Sequence, residues 1–475
     1  MNYDEFIKQK ALQVEPSGIQ RKPDDLHPAL FPFQRALNLR TLAHGKFCNG
    51  ANTGLGKTLM QLDCCNQLVK HTDRAALIIA PLAVSHQTER EAARWNIKAK
   101  VIFEQSDIEG AGIYITNYQK LERFNLDDFS TICLDEGSAI KNDSGKWSKL
   151  IRQIAQDKPF RLSYSATFAP NDFTELGMQS EFLGLLSESE MKSMFFTHDG
   201  HDQKGAWQLK GHAKSTAFWE WLSSWCALVR RPSDISGDYD DTGYELPGLK
   251  VHEHKVKGEV APPDGMLEGM WIPTGAIADK RHINKSSIEQ RCEYAANLAD
   301  SNDEQWVIWV NTADESKQVT RMIQGAVEVK GSDTDEHKIS SIAKFQSGEI
   351  RVIVTKDSIF GFGINLQNCC HSIVFPNDSF ERYYQLVRRF YRFGQKRVVH
   401  IHRVYHELES WTTMQNVTRK SKDSDRMFEQ LQTFQLQRFQ SIHKGIAKVQ
   451  TGYNPTKTML LPNWLLPESN QANAA

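Results

Sequence analysis

Ala51-Asn52-Thr53-Gly54-Leu55-Gly56-Lys57-Thr58 runs directly into Leu59–Lys70, a stretch whose spacing predicts a helix. The octapeptide reads as a phosphate loop with alanine in place of the leading glycine. Gly54 and Gly56 let backbone N–H groups turn toward phosphate oxygens, Lys57 can reach the β- and γ-phosphates, and the Thr58 hydroxyl suits Mg2+. The helix that follows aims the positive end of its dipole at the same anion. Ala51 through Thr58 are therefore candidate nucleotide-binding residues, and Thr58 is also a candidate metal ligand.

A second stretch, far along the chain, complements the first: Gln385-Leu386-Val387-Arg388-Arg389-Phe390-Tyr391-Arg392-Phe393-Gly394-Gln395-Lys396. On a helix turning roughly 100° per residue, Gln385, Arg388, Arg389 and Arg392 share one sector. Tyr383, Tyr384, Leu386, Val387, Phe390 and Tyr391 fall opposite and form a docking face. Arginines on a docked helix are held in place and can be offered to a γ-phosphate bound elsewhere. Arg389 and Arg392 are candidate catalytic residues on that ground.

Composition sets the frame. The chain has 475 residues, 40% hydrophobic and 24% charged, with a net charge of −1. No apolar run reaches the ~18–20 residues of a membrane span, and Met1–Lys10 lacks the apolar core of a secretory signal, so a cytoplasmic location is expected. Eight cysteines, including the pairs Cys64-Cys65 and Cys369-Cys370, form no Cys-x-x-Cys and no disulfide framework. His198, His201, His212 and Cys226 match no familiar zinc spacing. A nucleic-acid partner would have to meet local basic clusters: Arg230-Arg231, Arg388–Arg397, or Arg419-Lys420 with Lys422.

Strand-like and helix-like segments alternate. Ala75–Ala80, Ile113–Thr116, Thr131–Leu134 (ending in Asp135-Glu136) and Arg161–Ser163 read as strands of a parallel sheet with ligands at its carboxyl edge. The pattern breaks between Gly177 and Gly248. A structureless loop of that length is implausible, so a helical insertion is expected there, with Ser215–Val229 as one helix carrying Trp219, Trp221 and Trp225. A second alternating region begins near Ser287: strands at Trp306–Val310, Ala326–Val329, Val352–Thr355, Ser372–Phe375 and Val398–Val404, helices at Lys338–Phe345 and Phe380–Arg392. The division that follows is a first lobe over 1–180, an insertion and linker over 181–285, a second lobe over 286–410, and a helical extension with a flexible tail over 411–475.

With these segments in order, the chain resembles the superfamily 2 helicases, most closely the Swi/Snf-type ATPases, across residues 28–405. Phe33-Gln34 lies where that family reads the adenine edge. Ala80-Pro81-Leu82-Ala83-Val84 and Thr116-Asn117-Tyr118 resemble segments that touch the nucleic-acid backbone. Asp135-Glu136-Gly137-Ser138 stands where the family has its Asp-Glu-Ala-His box; the resemblance implies that Asp135 holds Mg2+ and Glu136 orients the attacking water. Ser165-Ala166-Thr167 resembles the segment linking ATP state to the nucleic-acid site. Phe360-Gly361-Phe362-Gly363-Ile364-Asn365-Leu366-Gln367 resembles a second-lobe motif, which implies a nucleotide contact at Gly363. Gln385, Arg389 and Arg392 match the family's arginine motif.

Several positions depart from the pattern: Asn52-Thr53 replaces an acidic pair, Gly137-Ser138 replaces Ala-His, and Arg388 stands in place of a glycine. The compact build is similar to bacteriophage-encoded members, which would place the protein in a host cytoplasm. The resemblance implies an α/β fold of two RecA-like lobes, with ATP and Mg2+ bound between them. The implied activity is an ATP-dependent helicase or translocase acting on double-stranded or branched DNA. An RNA-dependent unwinding helicase and a nucleotide-gated DNA clamp without turnover are the alternatives. A P-loop kinase would have no use for the Gln385–Arg392 segment.

Overall fold

The run Ala75–Ala80 contains no polar side chain, and every residue of it is buried. Such a strand is covered on both faces, as strands inside parallel sheets are. The computed structural model describes residues 14, 16–140, 145–166, 168–169, 172–198, 207–211, 217–263, 277–356, 365–375, 377, 379–409, 427–436 and 439. The strands of its first part are β1 (Lys46–Ala51), β2 (Ala75–Ala80), β3 (Ala99–Val101), β4 (Ile113–Asn117), β5 (Phe129–Asp135), β6 (Phe160–Tyr164), β7 (Phe196–His198), β8 (Trp207–Leu209) and β9 (Cys226–Val229). Seven of them form one sheet in the order β3-β4-β2-β5-β6-β1-β9, and β7 and β8 pair separately. Each pairing in the seven-stranded sheet is parallel.

Helices cover both faces. Pro32–His44, Lys57–Thr72 and Leu82–Arg94 supply Leu37, Met60, Leu62 and Ala92 to one core. Lys146–Ala155, Leu176–Leu183, Glu188–Phe195 and Phe218–Trp225 supply Ile151, Phe182, Met191 and Trp219 to the other.

The second sheet contains β10 (Leu249–Val256), β11 (Trp306–Val310), β12 (Val327–Val329), β13 (Val352–Lys356), β14 (His371–Val374) and β15 (Val399–His406), in the order β10-β15-β14-β11-β13-β12. It too is parallel at every pairing. These are the two parallel sheets that the alternation predicts, one for each of the RecA-like lobes that the resemblance implies.

The tryptophan-rich part of the stretch expected to be a separate insertion is woven into the first lobe, and its later part supplies β10 to the second sheet. The expected helix over Ser215–Val229 stops at Trp225, and Cys226–Val229 becomes β9, hydrogen-bonded beside β1. Trp219, Trp221 and Trp225 share a core cluster with Leu77 and Leu134 and do not pack a protrusion of their own. Sheet pairing overrides local helical preference here. Beyond the second lobe, Met427, Phe428 and Leu431 return to that same first-lobe cluster.

Candidate active site

In a parallel sheet all strands end on one edge, so β5, β6 and β1 deliver their following residues side by side. The phosphate loop leaves β1 with Gly54 at φ 92° and Gly56 at φ 79°, backbone that side chains with a Cβ rarely adopt. It is braced from outside. The Asn52 N–H donates to the Val229 carbonyl of β9 at 2.8 Å. Gln34 Nε2 donates to the Leu55 carbonyl at 2.8 Å, while its Oε1 accepts from the Phe31 N–H at 2.8 Å. Gln34 is thus a strut under the loop, with its amide engaged at both ends. Thr58 lies half-buried on the first helical turn.

Lys57 Nζ donates to the Ala51 carbonyl at 2.9 Å. Surrounding protein lowers its pKa; Glu136 and Asp135 oppose this, and Arg392 and Arg388 reinforce it. Asp135 ends β5. Burial, then the neighbouring Glu136, raise its carboxyl to about 7 against the pull of Lys57. Glu136 sits at φ 53°, a left-handed conformation that costs a non-glycine residue on the order of 1 kcal/mol. Its N–H donates to Asp135 Oδ1 at 3.2 Å, and Ser165 Oγ donates to its Oε2 at 3.4 Å. Gly137 has a steric reason: a Cβ there would fall 2.0 Å from Ser163 Oγ. That hydroxyl donates to Gln179 Oε1 at 2.9 Å, and Gln179 Nε2 donates back to the Gly137 carbonyl at 2.6 Å.

The other half comes from the second lobe. On the helix Phe380–Phe390, Leu386, Val387 and Phe390 pack against Val307, Trp309 and Ile353, with Tyr383 and Tyr391 beside them. Tyr384, expected on this apolar side, instead faces the first lobe. Its hydroxyl donates to Asn52 Oδ1 at 3.3 Å and its ring lies under Arg388. The helix ends at Phe390, two residues short of the expected Arg392, because a turn takes over. Gln395 builds that turn: its Nε2 donates to the carbonyls of Gln367, Cys369 and Phe390, and its Oε1 accepts from the N–H groups of Lys396 and Arg397.

Arg389 and Arg392 therefore stand on different backbone, one helical and one in the turn. Burial lowers Arg389 to about 10, opposed by Glu136 and reinforced by Arg392. Burial also lowers Arg392, opposed by Glu91 on Leu82–Arg94, and Arg392 Nε is buried with no hydrogen-bond partner. The turn meets the phosphate loop itself: a Cβ on Gly54 would lie 2.7 Å from Phe393 Cβ. Phe393 also packs on Tyr244, and Tyr244 meets Phe33 edge-on, with centroids 4.8 Å and 5.5 Å apart.

Lys57, Asp135, Glu136, Arg389 and Arg392 are thus brought to one cleft. Gly363 and Thr167 lie outside the described residues. Sequence reading did not single out Glu91, Tyr244 or Tyr384 for this cleft. Tyr384 had a legible signal, since it precedes Arg388 by one helical turn. Of the basic clusters, Arg230 stacks on Phe428 at 4.1 Å and the N–H groups of Arg230 and Arg231 cap onto Asp234 Oδ2. Arg231 is exposed beside Asp234 and Asp241. Of the imagined zinc set, Cys226 is buried in β9, and His201 and His212 lie outside the described residues.

Residues 49–209 match the SNF2-related domain, and residues 289–394 match the helicase conserved C-terminal domain. Together these are the two domains of a superfamily 2 ATPase of the Swi/Snf type, in that order along the chain. Among known proteins the chain is similar to the "Putative ATP-dependent helicase/translocase YwqA" of Bacillus subtilis (strain 168): 22% identical over 407 residues, 75% of this chain and 44% of that one. The chain spans less than half the length of that curated relative. Two solved structures are similar. The Sulfolobus solfataricus SWI2/SNF2 ATPase core in complex with double-stranded DNA is 19% identical, with a TM-score of 0.41, covering 88% of this chain and 97% of that one. The same organism's SWI2/SNF2 ATPase core domain is 21% identical, with a TM-score of 0.41, covering 82% and 90%. No helix among the described residues is long and apolar enough to cross a membrane.

Proposed function

We propose that ATP with Mg2+ binds in the cleft between the lobes, and that its hydrolysis drives movement along double-stranded or branched DNA. One observation carries the reading. The phosphate loop and the Asp135-Glu136 pair of one lobe face Arg389 and the orphaned Arg392 Nε of the other. A carboxyl raised to about 7 by burial and then by the carboxyl beside it calls for a cation, and left-handed glycines beside a half-buried lysine form an anion cradle. The donor set fits a magnesium nucleotide, with Thr58 and Asp135 as the metal's ligands. Mg2+ would supply charge neutralisation on the transferring phosphoryl group.

Lys57 then bridges phosphates, Glu136 Oε2 accepts the attacking water's proton, and Arg389 and Arg392 balance the charge that grows in the transition state. Arginine contacts of this sort are worth on the order of 10³–10⁵ in rate. Phe33, Tyr244 and Phe393 offer aromatic walls for a base beside Gln34. The test is the ATPase rate without nucleic acid and with duplex DNA, single-stranded DNA or RNA. Duplex DNA should stimulate most; stimulation by RNA alone would support the unwinding alternative, and binding without turnover would support the clamp.

A further inference from the structure

Away from the cleft, the face of the second sheet that carries Trp306 gathers five histidines. His252 and His254 lie on β10, His400 and His402 on β15, and His371 on β14, all on one face because β10 and β15 pair His252 with His402, and β14 pairs His371 with His400. The candidate ligand nitrogens of His252, His400 and His402 lie within 4.8 Å of one another. His252 Nε2 is 2.9 Å from His400 Nδ1. His402 is buried, and its Nε2 has no hydrogen-bond partner. Its other nitrogen, Nδ1, is 3.0 Å from His254 Nε2, and His254 Nδ1 is 2.8 Å from the Tyr294 hydroxyl.

We propose that His252, His400 and His402 form a transition-metal site, of the class filled by Zn2+, that clips β10 onto the second lobe. Three imidazoles converging from two strands suit Zn2+, Cu2+ or Ni2+ and not Mg2+ or Ca2+, which take oxygen ligands. Zinc binding would replace the His252–His400 hydrogen bond and turn the stacked rings so that three nitrogens stand at the ~2.0–2.1 Å the ion requires, with water taking a fourth position. The relay from His402 through His254 to Tyr294 is the outer support that metal-binding histidines ordinarily have, fixing which nitrogen is free to bind. All eight cysteines are buried and free, so exposed thiolates do not compete.

The consequence is mechanical. β10 is the edge strand into which the chain passes directly from the first lobe after β9, and His252 and His400 are 148 residues apart. A metal held by both would cross-link the arriving strand to β15 and fix where the inter-lobe passage is tethered. Metal binding of this kind adds to folding stability.

The untagged full chain, stripped with a chelator and returned to excess Mg2+, should be titrated with Co2+ and Zn2+. About one ion per chain should be retained through gel filtration, Co2+ should give the visible bands of nitrogen coordination, and melting should rise by roughly 5 °C. The double variant His252→Gln/His400→Gln, folded by circular dichroism, should lose retention, bands and melting shift together. His254→Gln should weaken affinity by about 10–100-fold. Absence of a retained ion in the unaltered chain overturns the proposal, and so does equal retention by the double variant.

Discussion

Asp135 stands in conflict with its surroundings. Burial and Glu136 hold its carboxyl at about 7, well above the unfolded value of 3.8. A raised acid favours the folded state while protonated, so this contribution is present below the unfolded value and is lost as pH rises through about 7. In protein without nucleotide or metal, Asp135→Asn should therefore raise Tm at pH 8 by about 3 °C and by less than half as much at pH 5, where only the first part of that loss has occurred, while abolishing turnover. Paired melts at the two pH values check this; equal effects at both would show that Asp135 carries no buried charge. Gly137 gives a second test. Because a Cβ would strike Ser163 Oγ, Gly137→Ala should displace the carboxylate pair and lose at least about 1 kcal/mol of stability. Ser163→Ala combined with it should recover part of that loss, as urea melts can measure.

The arginine turn exists because Gln395 satisfies three carbonyls and two N–H groups from inside it. Gln395→Leu leaves Arg389 and Arg392 chemically intact but strands those groups, each costing about 1–3 kcal/mol when buried. Turnover should fall at least about tenfold with nucleotide affinity of the first lobe retained. Unchanged kcat would mean that the turn is held by something else.

This element also marks how far the sequence could be read. The docking face of Leu386, Val387 and Phe390 was legible from its period, and so were the phosphate loop, Asp135-Glu136 and nearly all of the central strands, whose apolar runs are decided locally. The end of the helix at Phe390 was not, since it depends on hydrogen bonds to Gln367 and Cys369. Nor was β9, whose strand character comes from pairing with β1, or β10, whose histidines and charges disguise an edge strand. Gln34 shows the same limit within the site. Its position ahead of the loop was readable, but its engagement with Phe31 and Leu55 was not.

Among the described residues the lobes meet through Tyr384 with Asn52, Phe393 with Gly54 and Tyr244, and the charges of Arg389 and Glu136. A further link lies away from the cleft. Gln435 bonds both the N–H and the carbonyl of Leu228 on edge strand β9, at 2.8 Å and 3.0 Å, and Phe439 stacks on Arg40. The chain beyond the second lobe thus closes the open edge of the first sheet and ties the two lobes by a second covalent path. Gln435→Leu should destabilise the first lobe by about 1–3 kcal/mol without altering the chemistry of the cleft.

Whether closure makes the enzyme is decided by Arg392. It reaches the cleft from the lobe that does not hold the phosphate loop, and its Nε is buried without a partner. An interaction completed mainly in the transition state lowers kcat when removed and spares ground-state binding. Arg392→Ala should therefore cut single-turnover hydrolysis by about 10³-fold or more while ATP affinity changes little. Arg392→Lys should recover only part of the rate, because an ammonium cannot reproduce the planar two-pronged contact of a guanidinium. Nucleotide titration and single-turnover hydrolysis on both variants separate the two quantities. Near-normal turnover in Arg392→Ala would leave the first lobe as the whole catalyst and the opposed arginines as an electrostatic brace.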